Sequence, residues 1–576
     1  MQSDMTKENA LYALWCENAT EDADLTAELE AIRGDQDAIR ERFYKDLEFG
    51  TGGLRGVLGA GTGRMNIYTV RRATQGLANY VKESFANPSV AISYDSRIKS
   101  DTFARTAAAV LAANGIRVHI YKELMPTPMA SFAVRRLGCS AGIMITASHN
   151  PAKYNGYKVY GADGCQITLD VANTVIGKIN AVDLFRDVQI CDYDEAVKTG
   201  MISYIGQDVI EEYFTNVLAQ GIHTDICPTS GLKIVYTPLN GTGNKPVREI
   251  LKRIGISDVT VVPEQELPDG NFTTCPYPNP EIREALEYGL RLCDQVKPDL
   301  LLATDPDCDR VGIAVPDGKG GYALFSGNEV GAMLLKYICE ERTKLGTMPK
   351  DPIAVKTIVT TDLVKPIAEE YGVQLIDVLT GFKFIGEQIG MLEEKGEENR
   401  YIFGFEESYG YLAGTYVRDK DAVVASMLIV EMAAYYRTKG ISMMQARENL
   451  YAQYGVFKHS QESFAFEGVS GMMKMKEIMA SLRTNAPQTI GGLKVIGTAD
   501  YLKSESTDLE TGNVTKINLP KSDVVSFMLP DHASVIVRPS GTEPKIKAYY
   551  TTVCKTMEEA AALEEKLRAD VHKLLV

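Results

Sequence analysis

Thr146-Ala147-Ser148-His149-Asn150-Pro151-Ala152-Lys153-Tyr154-Asn155-Gly156-Tyr157-Lys158 follows directly on the apolar run Gly142-Ile143-Met144-Ile145. That run reads as a buried strand. Asn150-Pro151 stops a helix from starting, and Asn155-Gly156 makes a second tight turn. The strand therefore opens into an ordered loop that presents Ser148, with Lys158 returning a positive charge nearby. A serine just past a strand end, followed at once by histidine and asparagine, is placed for nucleophilic work. A serine-rich turn between two strands carries the same local signature, so the rest of the chain has to separate the two.

Working outward, a helix is expected over Val70 to Phe85, a strand over Val90 to Tyr94 and a helix over Thr102 to Ala113, ended by Asn114-Gly115. A strand over Ile116 to Tyr121 and a helix near Met129 to Leu137 then lead back to the serine-bearing strand. This alternation predicts a parallel or mixed sheet covered by helices. The order recurs twice. One copy ends its strand Leu300 to Ala303 at Thr304-Asp305, and the other ends Tyr401 to Gly404 at Phe405-Glu406-Glu407-Ser408. In each copy the last strand runs into the loop richest in chemistry, at the strand end where ligands of open α/β sheets gather. Residues 1 to about 48 read as helical. A helix is expected over Glu281 to Arg291 and another from about Asp421 to Thr438. The last hundred residues carry short alternating runs and a closing helix over Met557 to Leu575, which predicts a smaller antiparallel sheet with helices. The expected fold is α/β, with three similar domains of mixed sheets and a smaller C-terminal α+β domain around a central cleft. The expected boundaries are 1–205, 206–322, 323–455 and 456–576.

A length of 576 residues predicts about three to five domains. Hydrophobic content of 45% and charged content of 24% are those of an ordinary globular protein. The net charge of -15 argues against a nucleic-acid or anionic-membrane surface. An anionic substrate would then need a local cluster of cations. The ten cysteines are scattered without a CxxC pair, which suggests neither a zinc site nor a disulfide framework. A polar N-terminus and the lack of a long apolar run point to a cytoplasmic protein without a membrane span. A monomer or homodimer is expected.

Asp305-Pro306-Asp307-Cys308-Asp309-Arg310 places three carboxylates at alternate positions on a turn. They can converge on one hard cation and would repel one another without it; a solvated acidic turn is the plainer alternative. Phe49-Gly50-Thr51-Gly52-Gly53-Leu54-Arg55-Gly56 lets backbone approach a ligand closely around Arg55, or is simply a flexible loop. No strand precedes it, so it is not a dinucleotide fingerprint. Gly404-Phe405-Glu406-Glu407-Ser408-Tyr409-Gly410 offers acceptors and a hydroxyl suited to sugar hydroxyls, and reads at least as well as a solvated acidic loop. Arg538-Pro539-Ser540-Gly541-Thr542-Glu543-Pro544-Lys545 joins an arginine fork, two hydroxyls and a glycine turn, as an anion nest requires. It also reads as a hairpin between two strands.

Together these strings resemble those of the α-D-phosphohexomutases, and the resemblance covers nearly the whole chain. The length and N-terminal extension look most like the large phosphoglucomutase/phosphopentomutase-type branch. The resemblance implies a phosphoserine at Ser148, faced by Arg55. It further implies Mg²⁺ held by Asp305, Asp307 and Asp309 with the phosphate on Ser148. Sugar would be gripped by Glu406 and Ser408, and the distal phosphate by Arg538, Ser540, Gly541 and Thr542. Lys383 and Arg418 stand in flanking segments that also look like the family's and would bring cations to the cleft. Lys158 and His149 are candidates for acid/base work, His149 equally for a structural hydrogen bond. The implied reaction interconverts glucose 1-phosphate and glucose 6-phosphate through glucose 1,6-bisphosphate. Phosphopentomutase, phosphomannomutase and sugar-bisphosphate synthase activities are the enzymatic rivals. A sugar-phosphate sensor or a phosphoserine phosphatase-like hydrolase are the others. One departure stands out: Tyr236-Thr237-Pro238-Leu239-Asn240-Gly241-Thr242-Gly243 has Asn240 where the family usually has histidine.

Overall fold

A computed structural model describes residues 2–50, 52–466, 468–540 and 545–576. The chain divides into two compact units. The first comprises Met1–Phe325, Ile385–Tyr401 and Tyr409–Thr438, and the second Ser326–Phe384, Ile402–Ser408 and Lys439–Val576.

The first unit opens with three helices, Gln2–Asn18, Ala23–Ala31 and Gln36–Phe43, where the sequence reads as helical. Asp22 and Asp35 break the run, because each side chain accepts a backbone N–H of the following helix and so caps it. Trp15 is fully buried and meets Phe43, Tyr68 and Phe185 edge-on at 5.9, 5.5 and 5.7 Å, fastening the extension to the core.

Behind it lies a six-stranded sheet in the order Gly53–Val57, Tyr154–Gly161, Ala141–Ile145, Ser89–Tyr94, Arg117–Ile120, Ile202–Tyr204. The last four strands are parallel, and the first two run antiparallel to their neighbours. The expected Arg55 loop is thus partly a strand. Gly53 allows it, since a Cβ there would lie 1.9 Å from the Tyr157 carbonyl oxygen of the paired strand. The serine-bearing strand Ala141–Ile145 is buried along its whole length, as its uninterrupted apolar run predicts.

A five-stranded mixed sheet follows: Tyr322–Phe325, Val311–Pro316, Leu300–Thr304, Ile234–Thr237, Val259–Val261. The expected helix over Glu281 to Arg291 starts later. A 3₁₀ turn occupies Arg283–Leu286, and the α-helix runs Glu287–Val296. In the second unit, Ile353–Thr357 lies parallel to Gln374–Val378, with Tyr401–Glu406 on its other side. A seven-stranded antiparallel sheet runs from Val456–Ala465 through Lys545–Cys554 and Ser534–Pro539 to Val514–Lys516, accompanied by the helices Gly468–Thr484 and Met557–Leu575. Three mixed α/β layers and a C-terminal sheet-rich domain are the architecture expected from the sequence. All ten cysteines are free, and no helix among the described residues is long and apolar enough to cross a membrane.

Candidate active site

Ser148 leaves the strand Ala141–Ile145 in a left-handed backbone conformation, φ 55°, which a residue with a Cβ adopts at a cost. Its N–H donates to Thr146 Oγ1 at 2.8 Å. Its hydroxyl donates to Asp305 Oδ2 at 3.1 Å and lies 3.2 Å from His149 Nδ1. Glycine at 156 lets the returning strand pass close, since a Cβ there would sit 2.4 Å from the Thr146 carbonyl oxygen.

What holds this loop is a residue the sequence reading passed over. Arg97 is buried, and its guanidinium donates to the carbonyls of Ser148 at 2.5 Å, of Pro151 and Tyr154 at 3.0 Å each, and of Asn150. Asp95 faces it at 3.3 Å and also accepts the Ser100 hydroxyl at 2.7 Å. Arg97 is a positioning residue: its guanidinium ties four carbonyls, from Ser148 to the start of the strand Tyr154–Gly161, to one buried point. The signal was Asp95-Ser96-Arg97, immediately past the strand Ser89–Tyr94 that pairs with the serine-bearing strand.

Asp305, Asp307 and Asp309 are fully buried at the end of Leu300–Thr304. One carboxylate oxygen from each lies within 4.8 Å of the others. Asp305 Oδ1 accepts the N–H groups of Asp309 and Arg310 at 3.0 Å, which curls the loop. Two of the remaining oxygens, Asp307 Oδ1 and Asp309 Oδ1, are buried without a hydrogen-bond partner. An all-oxygen donor set with unsatisfied acceptors fits a hard divalent cation.

The repulsion expected among the three charges is present at Asp305, while lysines offset the charges of Asp307 and Asp309. Lys158 Nζ lies 2.8 Å from Asp307 Oδ2 and 3.3 Å from Asp309 Oδ2, and Lys420 Nζ lies 3.1 Å from Asp309 Oδ2. Lys420 also pairs with Asp419 at 3.0 Å, and Thr127 donates its hydroxyl to Asp307 at 2.8 Å. These partners separate the carboxylates electrostatically. Burial and the two neighbouring aspartates push Asp305 well above the usual range. Burial raises Asp307 too, but Lys158 and Thr127 outweigh it and hold that carboxyl far below its ordinary value. Burial tends to neutralise Lys158, yet Asp307 and Asp309 prevail and keep its amine protonated. Burial, with Arg310 and Arg55 nearby, depresses His149 well below an ordinary imidazole, so the ring is neutral at pH 7.

The sequence candidates fall into two sets. Ser148, His149, Lys158, Arg55 and the three aspartates belong to the first unit, with Arg55 exposed on Gly53–Val57 opposite Gly156. Arg418 is in that unit as well, but it is buried with its guanidinium on Glu393 at 2.7 Å and on the Thr415 and Val417 carbonyls. Lys420, two residues on, is the one that reaches the carboxylates.

Lys383, Glu406, Ser408, Arg538 and Ser540 belong to the second unit. There Glu406 is buried and accepts the Gly381 N–H at 2.9 Å, while Lys383 lies 5.2 Å from the ring centre of Phe384. Ser540 N–H donates to the Lys545 carbonyl at 2.8 Å and closes the hairpin that carries Arg538. Gly541 and Thr542 lie outside the described residues. Asn240 adopts φ 57°, and its amide donates to the Leu267 and Glu264 carbonyls at 2.8 and 3.3 Å. The departure at 240 therefore serves to pin a loop.

Models of the phosphoglucomutase/phosphomannomutase alpha/beta/alpha domains I, II and III match residues 46–185, 211–319 and 326–454. A phosphoglucomutase of Staphylococcus aureus (strain bovine RF122 / ET3-1) is 38% identical over 524 residues, which is 91% of this chain and 92% of that protein. Two solved structures share the fold. The parafusin phosphoglucomutase of Paramecium is 18% identical, with 92% of this chain and 95% of that one covered and a TM-score of 0.69. The putative phosphomannomutase of Thermus thermophilus is 23% identical, with 92% and 99% covered and a TM-score of 0.68. With the three domain models matched in order and over nine-tenths of its length aligned to a curated relative, the chain belongs to the phosphoglucomutase/phosphomannomutase family and is a phosphotransferase of the isomerase class.

Proposed function

We propose that the protein interconverts α-D-glucose 1-phosphate and glucose 6-phosphate through a phosphoserine at Ser148 and a glucose 1,6-bisphosphate intermediate. The observation that carries this reading is the Ser148 hydroxyl, held in a strained turn between Asp305 at 3.1 Å and His149 at 3.2 Å. In the first half-reaction the Ser148 Oγ–P bond breaks as a sugar O–P bond forms, and the sugar hydroxyl gives up its proton. In the second the other phosphate returns to Ser148 and a hydroxyl is released.

His149 is neutral and within reach of the serine oxygen, which suits it to take and return that proton. Lys158 stays charged and suits electrostatic support. Arg55 is the exposed cation of the edge strand and meets incoming phosphate. Asp305, Asp307 and Asp309 would hold Mg²⁺, which when bound draws charge from the phosphoryl oxygens. On this reading Glu406, Ser408 and Lys383 grip the sugar, and Arg538, Ser540, Gly541 and Thr542 take the phosphate that is not reacting. Four domains, 1–205, 206–322, 323–455 and 456–576, then supply one loop each. Ten free cysteines suit a reducing, cytoplasmic setting.

The deciding experiment is a substrate panel on the purified protein with Mg²⁺ and glucose 1,6-bisphosphate. Turnover of glucose 1-phosphate should exceed that of mannose 1-phosphate and ribose 1-phosphate. A preference for either rival reassigns the substrate within the same mechanism.

A further inference from the structure

A second concave site lies in the first unit, away from Ser148. It is a cleft of about 980 Å³ between the segment that follows strand Arg117–Ile120, the residues after strand Ile202–Tyr204, and the helix Asn244–Arg253. In the sheet order those two strands stand two and three places from the serine-bearing strand, on the far side of Ser89–Tyr94. With strands about 4.8 Å apart, that is ~10 Å or more from the phosphoryl carrier. The strands are parallel, and the cleft opens at their carboxyl ends, where α/β sheets bind ligands.

Its floor is apolar, with Met125, Met129, Ile205, Phe214 and Ile256. Its rim is basic. Five cations, Lys122, Lys245, Arg248, Lys252 and Arg253, face three carboxylates, Glu123, Glu211 and Glu249, in a chain whose net charge is -15. Arg253 is paired with Glu211 and Glu249 at 2.8 Å each, and its guanidinium lies 4.5 Å from the Phe214 ring centre. Lys245 is paired with Glu123, and Arg248 with Glu266. Lys122 and Lys252 are exposed and make no ion pair among the described residues. Two uncommitted ammonium groups over an apolar floor with an aromatic ring match an organic anion that has a flat apolar body. A hexose phosphate would leave the floor uncovered. The volume falls within the range of about 300–1,000 Å³ common for small-molecule sites.

Both walls continue into the carboxylate loop. The segment from Tyr121 to Met129 includes Thr127, which donates its N–H to the Asp307 carbonyl at 2.9 Å and its hydroxyl to Asp307 Oδ2 at 2.8 Å. The helix Asn244–Arg253 begins just after Thr242, whose N–H donates to the Pro306 carbonyl at 2.8 Å. A Cβ at Gly241 would lie 2.4 Å from Pro306 Cα, so the two loops are in close backbone contact.

We propose that this cleft is a second ligand site for an aromatic organic phosphate of the nucleoside monophosphate class, and that its walls carry occupancy to the Asp305–Asp309 loop. Lys122 and Lys252 take the phosphate, and the base lies on the apolar floor beside Phe214. The test titrates fluorescent N-methylanthraniloyl-AMP into the whole enzyme and follows anisotropy. Binding should be saturable and one to one, displaced by unlabelled AMP and still saturable to the same stoichiometry in saturating glucose 1-phosphate. In Lys122→Glu/Lys252→Glu it should weaken about tenfold or more, since both charge-assisted contacts are lost. The same double variant should turn over sugar phosphate at the wild-type rate without nucleotide, which keeps this site separable from the mutase reading. No saturable binding, displacement by glucose 1-phosphate, or unchanged affinity in the double variant overturns the site. Hydrogen exchange with AMP present should slow at 121–129 and 245–253 and also at 305–310. Protection confined to the walls would refute the relay.

Discussion

The carboxylate loop Asp305–Asp309 and the strand end that carries Arg538 and Ser540 handle charge in opposite ways. The first buries three carboxylates completely, sets Lys158 and Lys420 against Asp307 and Asp309, and adds a hydroxyl from Thr127. The second leaves Arg538 and Ser540 only half-buried at the mouth of a hairpin. A dry, charge-paired loop costs free energy to assemble and is justified by reacting groups that must not move. A partly solvated hairpin suits a grip that has to take and release phosphate. On the proposed mechanism the difference separates chemistry from binding, and single substitutions in the two regions should divide along the same line.

Ser148→Ala should have the largest effect, cutting mutase turnover by about 10⁴-fold or more, because on the proposed mechanism Ser148 carries the phosphoryl group. Asp307→Asn comes next. It removes the charge that Lys158 faces at 2.8 Å and a proposed metal ligand, and a loss of roughly 10²- to 10³-fold in kcat is expected with little change in KM. Excess chelator should abolish turnover of the wild type, and Mg²⁺ should restore it; an undiminished rate in chelator would remove the metal from the reading.

Arg538→Ala sits on the other side of the comparison. Losing a charge-assisted grip should lower kcat/KM by roughly ten- to a hundredfold. Glucose 1-phosphate and glucose 6-phosphate should suffer alike, and the requirement for added glucose 1,6-bisphosphate should rise. If Arg538→Ala instead lowers kcat as much as Asp307→Asn does, the division between chemistry and grip fails.

The smallest effect concerns stability in the second unit. His459 accepts or donates to Thr551 Oγ1 at 3.0 Å, and burial depresses its pKa to about 4, with Lys356 adding to the fall and Asp362 opposing it. The unfolded ring, with a pKa of about 6.5, binds a proton that the folded ring refuses. Its contribution to stability is therefore full above pH 6.5 and is lost as the pH falls from there through about 4. The wild type should lose about 2–4 °C more in Tm than His459→Gln between pH 7 and pH 4.5. Equal losses would show that the ring does not titrate as described.

Much of this division was legible in the sequence because apolar runs ending in dense polar strings mark strand ends. That pattern singled out Ser148 and the three aspartates as candidates, and the turn chemistry singled out the Arg538 string, but their proposed roles came from the family resemblance. Arg97, Thr127 and Lys420 were not legible as site residues. Each acts on groups far away in the chain, Thr127 on a carboxylate 180 residues distant, and no local spacing encodes such a pairing. Arg418 was misleading for the complementary reason. Its segment brings a cation to the loop, but the chain bends at Arg418-Asp419, which leaves Arg418 on Glu393 and Lys420 on Asp309. Asn240 shows the limit of reading by resemblance. Its left-handed backbone and spent amide describe a structural pin that a motif comparison cannot distinguish from a lost site residue.

The most direct measurement is peptide mass spectrometry of the intact enzyme after brief exposure to glucose 1,6-bisphosphate. Phosphate should be found on Ser148, should leave on addition of glucose 6-phosphate, and should be absent in Ser148→Ala. Phosphate on another residue, or full turnover by an enzyme that never carries phosphate at Ser148, would contradict the phosphoserine mechanism outright.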